Sequence, residues 1–88
     1  MQTYLVVRRS AWLSEQAQRD ADARSAEAAR MFDDVACVYS YVLEECDRTL
    51  GSICIVEASS PEAVRRHAAA ADLPVDEIVR VAATGVAA

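Results

Sequence analysis

Eighty-eight residues are enough for one domain, 1–88, with a single core; at that size much of the folded surface stays exposed, so association adds useful burial. The hydrophobic fraction of 53% is high, although alanine supplies much of it and contributes little area per residue. Fourteen acidic side chains against nine basic ones, for a net charge of -5, leave no basic excess to neutralise phosphates, and this argues against nucleic acid or an anionic membrane as partner.

In chain order, "TYLVVRR" from Thr3 to Arg9 is β-branched and aromatic and predicts a first strand closed by its arginines. It has no basic leader followed by a long apolar run, and no stretch of about 18 apolar residues occurs elsewhere, so a cytoplasmic protein is expected. From Ser14 the composition changes to alanine, glutamate, glutamine and arginine, with apolar positions at Ala17, Ala21, Ala28, Met31 and Phe32. That pattern predicts an amphipathic helix with Ser14 as N-cap.

Val35 to Leu43 and Ser52 to Ala58 predict two further strands, joined by the polar loop "EECDRTLG" that ends at Gly51. A serine followed by Pro61 and a glutamate in the first turn mark the start of a second helix, which stops before Pro74. Ile78 to Thr84 predicts a last strand, and the tail from Gly85 to Ala88 is expected to fray.

The order β-α-β-β-α-β predicts an α+β, ferredoxin-like domain, a four-stranded antiparallel sheet with two helices on one face. Simple alternation along the second strand places Cys37, Tyr39, Tyr41 and Leu43 on one face and Ala36, Val38, Ser40 and Val42 on the other. Both sets are largely apolar while helices cover one face only, so a homodimer packed sheet to sheet is expected.

The strings "SYV" at Ser40 to Val42, "CIVEASSPEAVRRHA" from Cys54 to Ala68 and "LPVDEIVRV" from Leu73 to Val81 carry a resemblance to a known family. The chain resembles a group of small ferredoxin-like proteins of unknown function, one branch of which is described as nickel-binding. The matching positions are Ser40, Tyr41, Cys54, Glu62, Ala63, His67, Ala68, Pro74 and Ile78. Two places where the family commonly carries an aromatic residue and a histidine are held here by Cys37 and Tyr39. The resemblance implies nickel or another divalent transition metal as cofactor.

His67, the single histidine, is the candidate metal ligand; the blander alternative has it interacting with the free carbonyls at the end of its helix. Tyr39, Tyr41 and Cys54 are candidate ligand-pocket residues. Against that, the tyrosines can be interface aromatics and Cys54 a small buried hydrophobe. Three cysteines, Cys37, Cys46 and Cys54, without a C-x-x-C spacing are expected to be free thiols. Cys46 stands in an acidic loop expected to be simply solvated.

One histidine allows no nucleophile–base–acid set beyond itself, and two glycines form no phosphate loop. The expected function is therefore a small homodimeric ligand-binding protein taking nickel or a similar metal. The alternative is a cofactor-independent enzyme or accessory protein, monooxygenase- or cyclase-like, with an apolar pocket for a small molecule.

Overall fold

The computed structural model describes residues 1–85. Its elements are β1 (Gln2–Trp12), α1 (Glu15–Ala29), β2 (Val35–Glu44), β3 (Leu50–Ala58), α2 (Pro61–Ala70) and β4 (Glu77–Arg80). The sheet order is β2-β3-β1-β4 with every neighbouring pair antiparallel. This is the α+β, βαββαβ arrangement expected from the element order, with β3 and β1 at the centre and the helices on one face.

Both helices start where their caps direct. Ser14 and Ser60 sit in extended backbone, and their hydroxyls accept from the Ala17 and Ala63 amides. Pro61 opens α2, where its missing amide hydrogen costs nothing. The end of α2 follows from hydrogen bonding: Leu73 N–H reaches the Ala68 carbonyl at 2.8 Å and Asp72 N–H the Ala69 carbonyl at 3.2 Å. Asp72 takes φ 54°, so the helix closes in a Schellman turn with aspartate at the left-handed position.

Several boundaries differ from the sequence-based expectation. The arginines do not close β1, which runs on to the buried Trp12 opposite Leu50, with a break in register after Arg8 where Ser10 takes φ 46°. β4 ends at Arg80 instead of Thr84: its ladder with β1 stops at the pair Tyr4–Arg80, and beyond it Val81 still donates to the Thr3 carbonyl. Met31 lies beyond α1 and is 63% exposed, so the apolar stripe of that helix reduces to buried Ala21 and Ala28. Of the tail, residues 86–88 lie outside the described residues.

The core lies between the layers. Tyr4 and Val6 from β1, Val56 and Ala58 from β3 and Val35 from β2 pack against Ala63 and Val64 of α2, with Ile78 of β4 beside them. The small side chains on both helices let their backbones approach the sheet closely, which suits a short chain with few bulky apolar residues.

The alternation expected along β2 fails at one point. Cys37 pairs with Val56 and Tyr39 with Ile55, so Val38 is an extra residue in a β-bulge. Because one inserted residue exchanges the faces of everything beyond it, Cys37 shares the helix-covered face with Ser40 and Val42, opposite Cys54 and Ser52. Tyr39, Tyr41 and Leu43 turn to the other face, opposite Ile55, Ile53 and Gly51. Cys37 and the two tyrosines therefore do not share a face.

Candidate functional site

The bulge gives the helix–sheet side of the molecule its chemistry. Cys37 on β2, Cys54 on β3, Arg8 on β1 and His67 on α2 line one cavity of about 20 Å³ between the layers. A wider surface groove of about 530 Å³ runs along α1 and the start of β2 past Asp22, Ser25, Cys37 and His67, and so gives this cluster access to solvent.

His67 is 7% exposed, and its ring does not turn to the carbonyls of its own helix. Nε2 lies 3.0 Å from the Ser25 carbonyl oxygen on α1. A carbonyl only accepts, so Nε2 carries a proton and, in the neutral ring, Nδ1 holds the lone pair. Fixing one ring nitrogen on a backbone carbonyl is how metal-ligating histidines are oriented in proteins.

Cys54 is half-buried and Cys37 is more open; both are free thiols, as is the exposed Cys46. Arg8 Nη1 lies 3.4 Å from Cys54 Sγ, and Ser52 Oγ lies 4.0 Å from the same sulfur. The Cys37 thiol beside it, followed by the Arg8 charge, brings the Cys54 thiol down to about 6 against the opposing effect of burial. The same contact and burial push the Cys37 thiol up. The two thiols are thus driven apart, Cys54 toward the thiolate and Cys37 toward the neutral thiol.

The remaining candidates fall elsewhere. Tyr39 and Tyr41, 58% and 57% exposed, stand on the helix-free face with ring centroids 5.0 Å apart, separated by the sheet from Cys54 and His67. The expected pocket of Tyr39, Tyr41 and Cys54 is therefore divided between two faces. Cys46 stands in a loop whose acids are engaged: Glu45 accepts two bonds from Arg9, and Asp47 accepts from Ser10 and Thr49.

Arg8 is the member of the cluster that strand reading overlooks. The signal was present, since Arg8 continues the even-numbered set Tyr4, Val6 that faces the helices. It is only 5% exposed.

Compared with known proteins, residues 4–81 match the model of the nickel responsive protein SCO4226-like family. The chain belongs to this family. No curated protein and no solved structure matches it. For this SCO4226-like chain the donor chemistry suits nickel: two sulfurs and an imidazole of fixed tautomer are soft to borderline ligands. The ligand geometry is not closed, because among the described residues no group of three or more His, Cys, Asp or Glu side chains is placed to hold an ion.

Proposed function

We propose that this protein is a small homodimer that binds nickel or another divalent transition metal in the cleft between helices and sheet. Cys54 and His67 would be its ligands on this chain, with the set completed from outside it, since no three such side chains among the described residues are placed to hold an ion together. The observation that carries this reading is the bulge at Val38, which brings Cys37 to the face of Cys54 and His67, so that three soft or borderline donors from three elements line one cavity. Family membership supports the same metal. A thiolate–imidazole set supplies strong, selective coordination and leaves open positions for a further ligand. Sensing, storage or delivery of the metal in the cytoplasm is the role such a site fits.

Pairing is proposed through the helix-free face, where Leu5, Val7, Ile53 and Ile55 are half-buried and Tyr39, Tyr41 and Val79 exposed. A continuous apolar sheet face of this kind is covered in solution by a second apolar layer. The enzyme alternative receives less support. Between the layers the cavities beside Arg8 and beside His67 are about 30 and 20 Å³, and the larger groove of about 530 Å³ past His67 is open at the surface and does not enclose a substrate.

Calorimetric titration of the metal-free protein with nickel, zinc and cobalt tests the metal reading. Stoichiometric binding by the wild type, weakened at least about tenfold in His67→Ala and in Cys54→Ser, is the expected result. Absence of binding, or equal binding by all three proteins, would remove the cleft as the metal site.

A further inference from the structure

Cys37 and Cys54 are the two thiols that the fold brings together. Cys54 lies two residues along β3 from Val56, the partner of Cys37, so the pair is diagonal across the β2–β3 ladder on its helix-covered face. Both line the cavity beside His67, and they lie close enough for hydrogen bonding between them to dominate the proton affinity of each. Cys46 follows the far end of β2.

A disulfide requires Cα atoms within about 7 Å and Cβ atoms within about 4.5 Å, and a regular diagonal pair stands somewhat wider. The edge of the sheet supplies the difference. β2 is hydrogen-bonded to β3 alone, and its register already breaks between Cys37 and Tyr39, where Val38 has no partner. A small shift of the strand at Cys37 therefore costs no pairing on its outer side.

Both sulfurs can be reached. The surface groove of about 530 Å³ opens onto Cys37, and the two cavities that Cys54 lines, about 30 and 20 Å³, hold water-sized molecules. Arg8 Nη1, 3.4 Å from Cys54 Sγ, favours the anionic, nucleophilic form of that sulfur.

We propose that Cys37 and Cys54 are a redox modification site, which closes to an intramolecular disulfide when the protein meets a hydroperoxide. With hydrogen peroxide, the Cys54 thiolate attacks one oxygen, the O–O bond breaks, and hydroxide leaves and takes up a proton to become water; Cys54 is left as the sulfenic acid. Cys37 then attacks that sulfur, and its thiol proton leaves with the displaced hydroxide as a second water. The dithiol gives up two electrons and the peroxide accepts them. A small-molecule thiol reverses the bond by exchange. The disulfide engages the sulfur that the proposed metal site uses, so oxidation and metal binding exclude one another; the bond itself does not depend on the metal reading.

The test uses the metal-stripped, full-length Cys46→Ser protein, treated with one equivalent of hydrogen peroxide, alkylated and digested with trypsin without reduction. Cleavage at the arginines leaves Cys37 in the peptide 31–48 and Cys54 in 49–65. The expected product is these two peptides joined, lighter by two hydrogens than their sum, from protein that runs as a monomer on a non-reducing gel and regains both thiols with dithiothreitol. Cys37→Ser added to this background should remove the joined species and leave Cys54 as the sulfenic acid, trapped by dimedone. Two separately alkylated cysteines, or a disulfide found only between chains, would overturn the proposal.

Discussion

Arg9 reaches from β1 to the β2–β3 hairpin and grips Glu45 with two bonds of 2.8 Å, Nε to Oε1 and Nη2 to Oε2. At the other end of β2, Asp34 accepts from Arg66 at 2.7 Å and from Ser59 at 3.0 Å, and the Arg66 guanidinium lies 5.0 Å from the centre of the Phe32 ring. These partners hold both carboxyls below the ordinary range: Glu45 through its hydrogen bonds from Arg9, Asp34 through those from Arg66 and then Ser59. A carboxylate with a depressed folded-state pKa contributes stability above its unfolded value, near about 4, and loses that contribution as pH falls through the lower folded value. Asp34→Asn with Glu45→Gln should therefore lower the urea midpoint at pH 7, with the difference from wild type closing below about pH 4. An unchanged gap at low pH would show that the two substitutions act through packing.

Single residues also show where sequence reading stops. Gly51 reads as a loop end, but its role is steric: a Cβ there would overlap the Arg8 carbonyl and stand 2.8 Å from Glu45 Oε1. Nothing local to "TLGS" announces this, because the crowding comes from a strand more than forty residues away in the chain. Arg8 carried a signal in the strand alternation, but an arginine pair at the end of an apolar run ordinarily marks the passage to solvent and outweighed it.

At the scale of elements, caps and turns were legible because their determinants are local. Ser14, Ser60 and Pro61 start the two helices as their side-chain chemistry requires. The Schellman turn after α2 offers a direct check. Asp72 occupies a left-handed conformation that favours glycine, and the hydrogen bond recorded for this residue with Arg24 uses its main-chain carbonyl, not its carboxylate. Asp72→Gly is expected to stabilise the fold by up to about 1 kcal/mol, and chemical denaturation should show the higher midpoint. A lower midpoint would mean that the aspartate side chain contributes more than its backbone strain costs.

The bulge in β2 was not legible. Val38 is β-branched and carries no glycine or proline signal, and bulges arise from pairing with a neighbouring strand as much as from the residues bulged. Its consequence is large, because it moves Cys37 from the face of the tyrosines to the face of Cys54 and His67. His67 and Cys54 could be proposed from sequence; their union with Cys37 could not.

For the whole molecule, the two sheet faces divide the work. The helix-covered face holds the core and the polar cluster, and the other face presents Tyr39, Tyr41 and Val79 with half-buried aliphatic neighbours from the central strands. The apolar residues alternating onto both faces of the strands are the reason a homodimer is expected from the sequence. Tyr39→Glu with Tyr41→Glu would place two desolvated carboxylates per protomer in the proposed interface. Light scattering should find the wild type as a dimer and this variant as a folded monomer. A dimeric variant would locate any pairing elsewhere.

No helix among the described residues is long and apolar enough to cross a membrane. In the proposed site, sulfur from the cleft binds the metal. Electronic absorption during nickel titration of the metal-free protein tests it most directly, because thiolate-to-nickel charge transfer reports the donor atom itself. Intense near-ultraviolet bands that saturate with nickel, fall in Cys37→Ser and disappear in Cys54→Ser, while Cys46→Ser leaves them intact, are the expected result. Nickel binding without such bands, or bands that depend on Cys46 alone, would contradict the account.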